Sequence, residues 1–412
     1  MNRSAAFWRL LTSTVLLVLC AIPPGAHAQP QGKGEAATLF DDSQLPDVRL
    51  RMNRADWLTL TENYLEDTYY PADFVWKDQV VRNVGIRSRG SGSRSRSKPG
   101  LKVDFNEYVS GQRFLGLNEV VLDNLTQDPS MIRERLAMKL FARMGLPAPR
   151  ETFVKLWIND EIYLGVYALV ESIDKRFLRN TDLDTDGYLF DYEYQDMWWF
   201  THLGERDYHY QIRFDPETHD EEPPSVLYAS IRQLLQAVNE PRDIAADIGA
   251  HLDVTAFVRY LAVEAFLAEW DGVVGDFGVN NFYLFRPSAS ARHVFIPWDK
   301  DQTFKAFDYP VWPDGMNNNI LTEKLMSVPS VRQAFLDAVV ECANLSEAPV
   351  EGGQTGWLAH EIARQYAVIA EAAHADNRKP HNNDTFNESV ALLREFAARR
   401  PAFARSAVGR YR

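Results

Sequence analysis

Asp276-Phe-Gly-Val-Asn-Asn281-Phe-Tyr-Leu-Phe285 runs, after a short turn, into Val294-Phe-Ile-Pro-Trp-Asp299-Lys-Asp301. Asp276 precedes Asn281 by five positions and Asp299 by 23. The five-step spacing is that of a phosphoryl-transfer loop, where the aspartate orients an acceptor hydroxyl and the asparagine holds a metal ion. The apolar strand ending in Asp299 brings a second carboxylate to that ion, and Mg²⁺ takes such oxygen ligands. Asp301 points to the same side if the chain stays extended. The spacing prefers Asn281 to Asn280. Asp271, in Trp270-Asp271-Gly272 at the end of a helical run, rivals Asp276. No His-Arg pair precedes Asp276; Val274-Gly275 stands there. Each role has a plainer alternative: a local turn with Gly275 and Gly278 for Asp276, an ion pair for Asp299.

Upstream of this stretch the pattern is strand-like. Val80–Arg87 and Leu101–Phe105 alternate in polarity about a Gly/Ser/Arg loop, Ser88–Lys98, and read as a hairpin. Thr152–Trp157 and Tyr163–Val170 are two more strands, joined at Asn159-Asp160, a hairpin turn signal. Between the hairpins, Asp128-Pro129 opens a helix that runs to Met144, with Asp as cap and Pro in the first turn. Downstream, 226–238, 254–270, 330–343, 356–373 and 386–398 carry helical spacing of apolar residues. The fold class is therefore α+β in two lobes. A strand-rich lobe covers 45–174, a helix-rich lobe with the candidate loops covers 175–345, and a helical extension covers 346–412. The connector lies near Glu171, and a cleft between lobes is where ligands commonly sit.

Several residues suit a nucleotide in that cleft. Lys102 alternates with core-facing Leu101 and Val103 and would project into the cleft to grip phosphates; Lys98 at the loop edge is the alternative. Glu134 lies on one helical stripe with Met131, Met138 and Phe141. A carboxylate there needs a partner; Lys102 across the cleft would serve, or Arg133 or Arg135 at the helix rim. Arg87 and Arg89 open the basic loop, where glycine permits close backbone approach and arginine binds phosphate bidentately. Glu171 follows an apolar strand, as a hinge residue does. Separately, Asp182, Asp184, Asp186, Gly187 and Glu193 fit positions 1, 3, 5, 6 and 12 of a calcium loop, although Tyr188–Tyr192 reads as strand. An acidic surface turn is the plainer account.

The N-terminus reads as a signal peptide, 1–28: Arg3 and Arg9 flank an apolar run, Leu10–Ile22, that ends in Ala26-His27-Ala28. Residues 29–44 are expected to form a flexible, polar lead-in. Leu19 before Cys20 argues against lipid attachment. Cleavage would leave Cys342 as the single cysteine, so no internal disulfide forms. The expected location is secreted or periplasmic, with no membrane span in the mature chain. The net charge of −13 disfavours nucleic-acid partners.

Gly85-Ile-Arg-Ser-Arg-Gly90, Lys98–Phe105, Asp128-Pro-Ser130, Gly165-Val-Tyr-Ala-Leu-Val-Glu171, Asn280-Asn-Phe-Tyr-Leu-Phe285 and Ile296-Pro-Trp-Asp-Lys-Asp301 occur in this order. In this the chain resembles the CotH family, atypical kinases of the spore coat protein H type, over roughly 45–345. The resemblance implies a protein-kinase-like fold and ATP- and Mg²⁺-dependent transfer of phosphate to a Ser or Thr hydroxyl of a protein. Two rivals remain beside it. One is a binding protein of the cell envelope on an inactive kinase scaffold. The other is a metal-dependent hydrolase using Asp276, Asp299 and Asp301; the lack of a His-Glu-x-x-His ligand set counts against a zinc enzyme.

Overall fold

The computed structural model describes residues 34–411. The signal segment and residues 29–33 of the lead-in lie outside them; the rest of the lead-in is packed, with Ala36 and Leu39 in the barrel core and Asp42 paired with Lys139 and Arg364, both at 2.6 Å. The first half is a closed barrel of seven strands: β1 (Asp47–Met52), β2 (Tyr70–Trp76), β3 (Gln79–Arg89), β4 (Gly100–Asp104), β5 (Glu119–Asp123), β6 (Glu151–Ile158) and β7 (Ile162–Glu171). Their order is β1-β2-β3-β4-β5-β7-β6, and β1 returns to β6 in parallel to close the ring. Closure leaves no sheet edge to protect. Alternation puts Leu50, Phe74, Ile86, Leu101, Val103, Leu122, Leu156 and Leu169 inside, all fully buried. Phe74, Phe105 and Phe114 pack there with centroids 5.3–5.5 Å apart.

The β6–β7 turn forms at Asn159-Asp160, whose φ angles of 53° and 60° make it a mirror-image turn suited to strand twist. The helix expected from Asp128 begins five residues later and spans Arg133–Arg143. Asp128 accepts from the amides of Ser130 and Arg133, both at 2.8 Å, so it caps the helix from beyond an added turn. Met131 takes φ 62° there, and the turn buries Met131 and Ile132 in the core. This helix lies against the barrel's outer face, where Val121, Phe153, Ala168 and Val170 join its core.

The second half carries a four-stranded antiparallel sheet and most of the helices. The sheet holds β8 (Tyr188–Tyr192), β9 (Phe214–Pro216), β10 (Phe282–Arg286) and β11 (Val294–Pro297) in the order β11-β10-β8-β9. One face, with Phe190, Tyr192, Phe282, Leu284 and Phe295, packs on the helices. The other presents Leu189, Tyr283, Phe285 and Ile296 to Ile173, Phe177 and Leu178. The helix Val254–Leu267 runs through the main core, and Ala268 ends it at φ 55°. The C-terminal helices, Trp357–Ala375 and Asn383–Val408, share that same core. Among the described residues no helix is long and apolar enough to cross a membrane.

Candidate active site

The ends of β3, β5 and β11 and the start of the Arg133–Arg143 helix meet at one small cavity. It is lined by Arg89, Val121, Asp123, Glu134, Val170, Trp298 and Asp299. Asp123 ends an apolar strand, Asp299 follows one, and Arg89 ends the alternating strand β3, so their charged ends emerge where the core stops. Arg89 stands 3.8 Å from Asp123, and its guanidinium lies over the Trp298 ring. Asp299 takes φ 50° and Asn281 φ 59°. Asp and Asn adopt these left-handed angles more readily than other side chains, as Asn159 and Asp160 also do here.

The lining is acidic beyond what its cations offset. Burial and then Asp123 raise the Asp299 carboxyl to about 6. Burial and the neighbouring Glu151 raise Glu134 well above the usual range; burial and Asp299 do the same for Asp301. Glu134 is buried, and both carboxylate oxygens of Glu151 are buried without a hydrogen-bond partner. Carboxylates gathered in this way repel one another unless protons or a cation intervene.

The loop before β10 brings Asp271 to Asn281. The Asn281 side-chain amide donates to the Asp271 carbonyl at 2.9 Å and to its carboxylate at 3.1 Å; Asn280 donates to the other carboxylate oxygen at 3.0 Å. The Asp271 amide donates to Glu269 at 2.7 Å. Burial raises the Asp271 carboxyl, and the two side-chain amides oppose that shift. Beneath it, fully buried Lys300 pairs with Glu264 at 2.8 Å, and Glu264 also accepts the Val273 amide at 3.0 Å. Gly272 is packed against this carboxylate with no room for a Cβ. Asp276 lies elsewhere. It is exposed and pairs with Lys305 at 2.9 Å.

The other sequence-derived residues divide. Arg89, Glu134, Asp299 and, through its electrostatics, Asp301 come together. Lys102 does not meet Glu134; it pairs with Glu119 at 2.6 Å. Lys98 is fully buried against Asp376 at 2.7 Å. Arg87 pairs with Asp67 at 2.9 Å. Glu171 is held by Arg150 at 2.6 Å and Asn180 at 2.9 Å. In the acidic turn, Asp184 accepts from Ser288 and Asp186 pairs with Lys175, while Glu193 lies in the field of Asp215 and Arg89. These carboxylates serve separate partners. Among the described residues no three His, Cys, Asp or Glu side chains stand in metal-holding geometry. Carboxylates are nevertheless the donors a hard cation takes, and the mutual repulsion of Asp299, Glu134 and Asp301 is what such a cation would relieve. Sequence reasoning missed Asp123 and Trp298. Asp123 had the same signal as Asp299, an aspartate closing an apolar run, Val120-Val-Leu-Asp123.

Residues 86–404 match the family described as CotH kinase protein, and the chain belongs to that family. It is similar to the inner spore coat protein H of Bacillus subtilis, 26% identical over 88% of this chain and 97% of that protein. It is also similar to invasins CotH3 and CotH2 of Rhizopus delemar, 25% and 26% identical over 66% of this chain. The match spans 46% of each invasin's length.

Proposed function

We propose that this chain is an exported phosphotransferase of bilobal, protein-kinase-like architecture that moves phosphate from ATP to a hydroxyl of a protein. The observation that carries this reading is the pair of amides, from Asn280 and Asn281, that fix the Asp271 carboxylate, whose charge is felt at Asp299 just beyond β11. Asp271 replaces Asp276 as the residue orienting the acceptor, because Asp271 is the aspartate joined to Asn281. Its raised affinity for a proton suits a group that takes the hydroxyl proton. Asp299 and the Asn281 oxygen would hold Mg²⁺, with Asp301 and Glu134 next to them. Arg89, aimed into the cavity, would hold a phosphate oxygen. When bound, Mg²⁺ and ATP supply the phosphoryl group and offset the negative charge of the lining. Lys300 and Glu264 keep the Asp271 loop in place from below.

The Lys102–Glu119 pair favours a second reading, a nucleotide-binding scaffold with little transfer, since the strand lysine is already engaged. One experiment separates the two. Titration calorimetry of MgATP on the mature chain, followed by a labelled-phosphate assay on candidate proteins, should show binding and transfer. Binding without transfer selects the scaffold, and no Mg²⁺-dependent binding overturns both. Export is tested by N-terminal sequencing of protein from envelope or medium: Gln29 is expected, and an intact Met1 contradicts it.

A further inference from the structure

Two fully buried cations are not used by the proposed reaction, and both are engaged with the C-terminal helical pair. Lys98, at the end of the basic loop, pairs with Asp376, whose side chain is fully buried. Asp376 lies between the two C-terminal helices and also accepts from the amides of Val166, Arg378 and Lys379. Gly165 has φ +102°, and a Cβ there would fall 2.1 Å from this carboxylate, so β7 is shaped around it. From the same segment, Arg378 donates to Ser97 O at 2.9 Å and to Tyr163 O at 3.0 Å, and His381 sits 3.1 Å from Thr126 O. Four contacts thus fasten the loop that follows Arg89 and the strand that precedes Glu171.

Arg400, on the last helix, is fully buried and forms no ion pair with a described residue. It donates to Ala265 O at 2.5 Å and Phe266 O at 2.8 Å, near the C-terminal end of the helix Val254–Leu267. Its other nitrogen donates to Phe307 O at 2.9 Å and to Tyr309 O. A guanidinium presents its donors as a preorganised planar fork that reaches all four carbonyls at once, whereas an ammonium has three donors on a single atom. The segments joined are the helix that delivers Asp271 and the chain that follows Asp301.

We propose that the C-terminal helical pair is a two-point brace on the candidate active site. Asp376 positions the basic loop that follows Arg89, and Arg400 positions the loop that carries Asp271. The catalytic consequences rest on the phosphotransferase reading; the brace itself does not. A test compares Asp376→Asn and Lys98→Met with Arg400→Lys and Arg400→Gln in the full mature chain. Amide hydrogen exchange should quicken in residues 90–98 for the first pair and in 268–278 for the second, with each leaving the other loop unchanged. Asp376→Asn should weaken MgATP binding on the order of tenfold with kcat held at saturation. Arg400→Lys should leave binding within about twofold and lower kcat on the order of a hundredfold. Uniform changes in exchange, or folded variants that exchange as wild type does, overturn the brace. If the Arg400 variants do not fold, native-state exchange of the wild type decides: 268–278 must open together with the helix Asn383–Val408, and independent opening overturns the proposal. A wild type that binds no MgATP defeats the phosphotransferase reading, while the exchange data still decide the brace.

Discussion

Asn281 binds Asp271 twice, donating to its backbone carbonyl at 2.9 Å and to its carboxylate at 3.1 Å. With Asn280 on the other carboxylate oxygen, the aspartate has a fixed direction before any ligand arrives. Asp271→Asn would set an amide against these two amides and remove the charge that takes a proton. Transfer should fall on the order of a hundredfold or more, with MgATP affinity little changed. Asp276→Asn breaks only an exposed pair with Lys305, and such pairs contribute little. Its kcat should stay within about twofold of wild type. Loss of transfer in Asp276→Asn but not in Asp271→Asn would restore the assignment made from spacing alone.

The elements were readable where a local rule governs them. Alternation located β3, β4, β6 and β7, and Asn159-Asp160 marked a turn that needs two left-handed residues. Helical spacing found each long C-terminal helix, though not how far the last runs through Pro401. Partner choice was not readable, because periodicity reports which face a side chain takes and not what lies opposite. The parallel return of β1 to β6, the pairing of Lys102 with Glu119, and the burial of Lys98 against Asp376 all join distant segments. The same limit governs the aspartates. A five-step spacing places Asp276 near Asn281 along the chain, but Gly275, packed against the Trp270 carbonyl, turns the loop so that Asp271 meets it in space.

Asp299→Asn should have opposite effects on stability and on ligand binding. In the metal-free chain it removes one carboxylate from the group it forms with Asp123, Glu134 and Asp301, so the melting temperature should rise by a few degrees. The same change removes a ligand oxygen charge, so added Mg²⁺ and ATP should no longer stabilise the protein. Thermal melts with EDTA and with MgATP measure both. A variant that melts lower without metal, or keeps the full MgATP shift, contradicts the assignment of Asp299.

Arg89 and Lys102 should separate in a nucleotide-binding assay. Arg89 lines the cavity and contacts Asp123 only loosely, at 3.8 Å. Lys102 is held by Glu119 at 2.6 Å, which also keeps its ammonium charged against burial. Arg89→Met should therefore weaken MgATP binding at least about tenfold, as expected when a charge-assisted contact is lost. Lys102→Met should cost less than about threefold. Equal losses would place the lysine in the site and require its pair with Glu119 to open on binding.

Glu151 offers a pH test that needs no substrate. It is 3% exposed, and neither carboxylate oxygen has a hydrogen-bond partner. Burial, only partly offset by Arg135, raises it from 4.5 to about 8. The folded chain therefore keeps this proton up to about pH 8, whereas the unfolded chain releases it near 4.5. Between those values the unfolded state binds fewer protons, so stability must fall as pH rises, then level off. Glu151→Gln keeps the shape of the protonated acid and has no proton to lose. The variant should match wild type near pH 4 and exceed it by roughly 3 kcal/mol at pH 7. Denaturant unfolding at both pH values, in EDTA, measures the difference. An equal gap at pH 4 and pH 7 would mean that Glu151 does not hold its proton in the folded chain, and that a neighbour such as Arg135 carries its charge instead.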